Sequence, residues 1–227
     1  MELWCPFAVH RPGPAQKVGY PGGVSGLDPS LRMTAPKWGE VKHSAEGDSM
    51  DGAHGVLDNL GINSSWHFTV GYDVIEQHYT VNTNCWHGND TDNDDFVRAN
   101  IDLIGIEHLG KAGEPLTEYQ IDATTRLTKW LANSNGYYGF KRFPVEAGLW
   151  CLAEHKEVGN SWTACPSDRI PWSDILQRLG VSDQVAGVGA HYTDGSGEEI
   201  WTPRLGKKLD GIGARYFDGR IQQLWPK

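Results

Sequence analysis

The sequence predicts an α/β protein that ends in a short β-rich tail. Three observations carry this reading. Strand-like and helix-like apolar spacings alternate through the middle of the chain, a well-capped helix begins at Thr117, and a Gly-rich segment is duplicated near the C-terminus. The chain has 227 residues, enough for one large domain or a domain with a small appendage. With 39% hydrophobic and 22% charged residues it can bury a core. Lys and Arg number 20 against 29 Asp and Glu, a formal net charge of −9. That balance argues against nucleic acid as a partner, because phosphate contacts need clustered cations. No window approaches the ~18 apolar residues of a membrane span, so membrane insertion is not expected. The first 23 residues lack an apolar core segment, and we expect no signal peptide. Ten Trp and 28 Gly form a surplus that needs an explanation.

Residues 1–37 carry six of the twelve prolines and little periodicity, and read as an irregular arm belonging to the core. Val41 and His43 alternate with polar neighbours, giving a short strand that ends at Ser44. Met50, Ala53, Leu57 and Leu60 follow helical spacing and stop at Gly61. In Ser65–Gly71, Trp66, Phe68 and Val70 share one face, predicting a strand with one buried side. The Asp-rich stretch from Asn84 to Asp95 reads as a solvated loop. Ile101 to Leu109 is a nearly continuous apolar run suited to a central strand, broken by Glu107 and His108.

Thr117-Glu118-Tyr119-Gln120 is a capping box that opens a helix to about Asn133, with Leu116 placed to staple against Ile121. Leu149 to Ala153 reads as a strand leading to His155. Trp172, Ile175, Leu176 and Leu179 mark a short helix between Pro171 and Gly180. Residues 181–227 hold the duplication: Gly187–Gly195 aligns with Gly211–Gly219 at an offset of 24 residues. Each copy has an Asp-Gly hairpin signal and closes on Trp, at Trp201 and Trp225. Two copies are too few to stand alone as a solenoid.

Cys5, Cys85, Cys151 and Cys165 contain no C-x-x-C pair, and each reads first as a small buried hydrophobe. Cys165 differs by its company, a Cys-Pro turn ten residues after His155. A thiolate, a nearby imidazole and a second imidazole from elsewhere would make a three-ligand zinc site with one position open.

Six segments in order then resemble one family. They are Val41–Gly47 around His43, Ser65–Val70, Cys85-Trp86-His87-Gly88, Ile104-Gly105-Ile106-Glu107, Glu154–Val158 around His155, and Thr163-Ala164-Cys165-Pro166. Over about residues 38–180 the chain resembles the zinc-dependent N-acetylmuramoyl-L-alanine amidases of phage lysins, related to the peptidoglycan recognition proteins. The resemblance implies a central mixed β-sheet flanked by helices and Zn2+ held by His43, His155 and Cys165. It implies peptidoglycan as substrate, cut between N-acetylmuramic acid and L-alanine. Glu107 is the expected acid/base. Thr163 stands where relatives place a hydroxyl or lysine that helps hold the oxyanion. Trp66, Trp86 and His87 are expected along the substrate groove, with Trp162 beside it. Many relatives carry Tyr where this chain has Trp66, and an indole cannot transfer a proton.

The resemblance leaves other readings open. A muropeptide-binding protein without activity is one, although such relatives usually lack the cysteine. A zinc peptidase cutting within the stem peptide is another. Synthesis in the cytoplasm with release to the cell wall fits a lysin, and a recycling amidase fits equally. The appendage at 181–227 is a candidate wall-binding element.

Overall fold

The computed structural model describes residues 3–19, 34–88, 98–158 and 163–181, and beyond them the backbone of four strands. By compactness the chain divides into one unit over Met1–Ile175 and a second over Leu176–Lys227.

The first unit is an α/β fold around a seven-stranded mixed sheet. In chain order the strands are β1 (Val9–His10), β2 (Gly39–Ser44), β3 (Phe68–Val70), β4 (Ile75–Gln77), β5 (Leu103–His108), β6 (Phe140–Arg142) and β7 (Trp150–Glu154). Their spatial order is β1-β4-β3-β5-β2-β7-β6. Strands β3, β5, β2 and β7 run parallel, and among the described strands of this sheet only β3 and β4 pair antiparallel. The helices are α1 (Met50–Asp58), α2 (Ala99–Asp102), α3 (Glu118–Ser134) and α4 (Trp172–Leu179).

The apolar run at 101–109 lies at the centre, where β5 has parallel neighbours on both sides. Helix α3 starts as its sequence requires: Thr117 accepts from the Gln120 backbone N–H, and the Gln120 side chain accepts from Thr117 N–H. The irregular arm packs on the sheet, with Cys5 fully buried and β1 paired to β4.

Two expectations are corrected, and the burial of β2 is a further finding. The Trp66 strand is shorter, only Phe68–Val70, and is buried on both faces. Residues 84–88, expected in a solvated loop, begin buried at Asn84 and Cys85; residues 89–97 lie outside the described part. Strand β2 is covered on both sides, because Gln120, Thr124 and Thr128 present a buried polar stripe on α3. Thr128 donates to Glu40, and Glu40 pairs with Lys42 at 2.6 Å, both side chains fully buried.

In the second unit four strands lie in the order β11-β10-β8-β9: β8 (Val185–Tyr192), β9 (Gly197–Glu199), β10 (Leu209–Tyr216) and β11 (Ile221–Gln223). Each sequence copy forms one antiparallel pair, and the two long strands pair with each other. Trp201, Trp225 and the Asp-Gly turns lie outside the described residues, as does Trp162.

Candidate metal and catalytic site

The site follows from register. In the parallel sheet Thr69 is the Cα partner of Glu107, and Glu107 is the partner of His43. Lys42 pairs with Glu154, which brings the next residue, His155, beside His43; their ring centroids are 4.6 Å apart. Thr69, Glu107, His43 and His155 thus form one row across the C-terminal ends of four parallel strands. This edge is where open α/β sheets generally place their ligands.

Cys165 reaches the row from a turn tied to the His155 segment. The Lys156 N–H donates to the Cys165 carbonyl at 2.8 Å, and the Lys156 ammonium bridges Asp168 and Glu154. The Thr163 hydroxyl oxygen accepts from Cys165 N–H at 3.1 Å, which fixes the backbone before the thiol. Ser44 N–H points at Cys165 Sγ at 3.3 Å. One donor atom from each of His43, His155 and Cys165 lies within 4.8 Å of the others.

These residues fit a metal ion. His155 Nε2 and Glu107 Oε2 are buried and have no hydrogen-bond partner. Burial holds the His43 imidazole far below its ordinary pKa, with His87 and His155 adding to the effect. Burial, reinforced by the charge of Glu46, pushes Glu107 up to about 8. Burial, then Glu107, pushes the Cys165 thiol up to about 12. Burial is the leading cause of each of these shifts, and it leaves the two imidazoles neutral with lone pairs free. Two neutral imidazoles and one thiolate are a donor set that suits a divalent cation.

Two residues that sequence reasoning passed over shape the site. Arg169, 4% exposed, donates to Ser44 Oγ at 2.8 Å and to the carbonyls of His108, Leu109 and Glu114. It fastens the Cys165 turn to the ends of β2 and β5. Gly110 makes room for it: φ is +119°, and a Cβ there would stand 2.0 Å from Arg169 Nη2. Glu46, in the left-handed region at φ 50°, accepts from Ala112 N–H and stays ionised close enough to act on Glu107. Neither shows a signal in sequence beyond a charged residue in a turn.

Of the expected groove residues, Trp86 is partly exposed, its indole N–H donating to Gly19 O at 2.5 Å. Trp66 is 3% exposed and belongs to a buried cluster with Leu57, Tyr79 and Leu109. Its indole donates to Thr69 Oγ1 at 2.7 Å, and Thr69 is bonded to His78 Nε2 at 2.8 Å. His87 is 7% exposed, and its Nδ1 lies 3.2 Å from His43 Nε2.

The family profile described as N-acetylmuramoyl-L-alanine amidase matches residues 33–168, more than half of the chain, and the chain belongs to that family. Solved structures agree on the fold. The N-acetylmuramoyl-L-alanine amidase LysC from Clostridium intestinale URNW has a TM-score of 0.52 at 19% identity, covering 78% of this chain and 99% of its own. A selenomethionine derivative of AmpD gives 0.56 at 18% identity, covering 77% and 96%. The catalytic domain of XlyA gives 0.53 at 22% identity, covering 76% and 99%. No curated protein matches the chain.

Proposed function

We propose that this protein is a zinc-dependent N-acetylmuramoyl-L-alanine amidase acting as a lysin of the phage type. The observation that carries the proposal is the convergence of His43, His155 and Cys165 beside Glu107 at the C-terminal edge of the parallel strands. His43, His155 and Cys165 would hold the zinc. Bound there, zinc supplies Lewis acidity toward the scissile carbonyl and acidifies water.

The rest of the chemistry belongs to the chain. Glu107 takes a proton from the attacking water and returns it to the leaving nitrogen of L-alanine. A carboxyl pushed up to about 8 by burial is suited to both transfers near neutral pH. The Thr163 oxygen accepts from Cys165 N–H, so its hydrogen remains to donate to the tetrahedral oxyanion. It brings no charge, so its share is smaller than a lysine's would be. The partly exposed Trp86 offers a flat face to the sugar or peptide. Residues 181–227 form the wall-binding appendage of the domain at 38–180.

The test is digestion of purified cell wall by the zinc-loaded protein, with new ends identified by mass spectrometry. Free N-terminal L-alanine is expected. New ends within the stem peptide would make the protein a peptidase, and intact wall with tight muropeptide binding would make it a receptor.

A further inference from the structure

His43 has two ring nitrogens and only one can serve a metal. The structure contains a device that chooses between them. His87 Nε2 lies 3.3 Å from the Leu103 carbonyl oxygen. A carbonyl only accepts, so Nε2 carries the hydrogen and Nδ1 keeps its lone pair. That lone pair faces His43 Nε2 at 3.2 Å. His43 must therefore carry its hydrogen on Nε2. Its other nitrogen, Nδ1, is left bare on the side of Cys165, 3.9 Å from Sγ.

We infer that His87 is a positioning residue that fixes His43 in the Nε2–H tautomer and so aims Nδ1 at the metal position. The inference rests on the zinc site proposed above, and it explains a set of features that a groove residue would not need. Asn100 Oδ1 accepts from both His87 N–H and Gly88 N–H at 2.7 Å, and Asn100 Nδ2 donates to Gly88 O at 2.6 Å. This clamp sets the height of the ring above β5. Gly105 then lets the ring approach the strand, since a Cβ there would stand 2.5 Å from His87 Cγ. Gly105 is itself held, its N–H donating to His67 Nδ1 at 3.0 Å. Gly88 closes the arrangement, because a Cβ there would stand 2.5 Å from the Ala99 Cβ. Hydrogen bonding of the second imidazole nitrogen is a general way of orienting metal-bound histidines, usually by a carboxylate or carbonyl. Here a second imidazole serves, and Leu103 anchors it.

The experiment uses full-length protein labelled with 15N at histidine. Long-range 1H–15N spectra of the metal-free protein report which nitrogen of His43 carries hydrogen. The wild type is expected to show the Nε2–H tautomer alone, and His87→Ala a mixture of both. His87→Gln, whose amide oxygen can still accept, is expected to restore Nε2–H. Gly105→Ala, which displaces the ring without deleting it, is expected to resemble His87→Ala. Zinc affinity by chelator competition should fall about 10- to 100-fold in His87→Ala and less in His87→Gln. An Nδ1–H tautomer in the wild type overturns the inference even if the variants fail to fold. An unchanged tautomer and zinc affinity in His87→Ala overturns it as well. A wild type that takes up no zinc overturns the metal assignment instead, and the metal-free spectra still judge His87.

Discussion

At the scale of single residues, Arg169 shows how the cluster of His43, His155 and Cys165 is held by a group outside it. Its guanidinium is buried and supplies hydrogens to the carbonyls of His108, Leu109 and Glu114 and to Ser44 Oγ. Arg169→Met would leave those acceptors without a donor, at an expected cost of about 3 kcal/mol in urea denaturation. Arg169→Lys should recover only part of it, because one ammonium cannot span the fork. Glu107 gives the complementary case. Glu107→Gln should retain zinc, measured by metal analysis, and lose about 10²- to 10⁴-fold in turnover of muropeptide. Full activity in that variant would remove Glu107 from the acid/base role. Cys165→Ser should lose zinc and turnover together. His43, His155, Cys165 and Glu107 were candidates in sequence because each lies in a short segment with family character. Arg169 was not, since Asp168-Arg169-Ile170 reads as an ordinary charged turn, and only its folded neighbours show that it is buried.

At the scale of elements, the sequence indicated where most strands and helices lie and misjudged which faces they bury. Helix α3 was legible from its ends, because a capping box is local chemistry; Thr117→Ala should cost about 1 kcal/mol by thermal or urea unfolding. In strand β2 the apolar residues alternate with polar ones, a pattern that normally means one solvated face. Glu40 and Lys42 are instead sealed beneath α3, where Glu40 Oε1 meets Lys42 and Thr128 while Glu40 Oε2 has no hydrogen-bond partner. Such pairing between strand and helix joins residues 86 apart in sequence, and no local pattern signals it. Lys42→Met should therefore destabilise strongly, by about 3 kcal/mol or more, because it strands a buried carboxylate. The double change Glu40→Leu with Lys42→Met should cost less than Lys42→Met alone. Equal losses would mean that packing of the lysine stem, rather than charge pairing, stabilises this layer. The two-residue β1 and three-residue β4 and β6 went unread for a different reason: they are too short to show a period.

At the scale of the whole molecule, the first unit is rich in buried imidazoles, and this sets its response to acid. Burial holds His78 at about 4 and His87 and His108 at about 3, and holds His67 well below its ordinary value. The unfolded chain protonates these groups near pH 6.5, before the folded protein does. Their contribution is thus complete above about pH 6.5 and is lost as pH falls toward 4 and below. Glu107 acts in the opposite sense: raised to about 8, it stabilises the fold at low pH and loses that contribution as pH rises through 8. Four histidines outweigh one carboxyl, so metal-free protein should lose stability between pH 6.5 and 5. Each net proton contributes up to about 1.4 kcal/mol per pH unit. A urea midpoint that rises on acidification would show that these rings are not buried neutral. The second unit has a different organisation. Gly189 pairs with Gly213, its own counterpart in the other copy, and the flanking pairs Val188↔Ala214 and Ala190↔Ile212 are also related by the repeat. The two copies therefore meet about a local two-fold axis at the centre of one sheet. That arrangement suits a small module whose two copies pair with each other. Truncation after Gly180 should weaken binding to insoluble wall, measured by sedimentation, more than it slows hydrolysis of a soluble muropeptide. Equal losses in both assays would make residues 181–227 a structural part of the amidase rather than its wall-binding appendage.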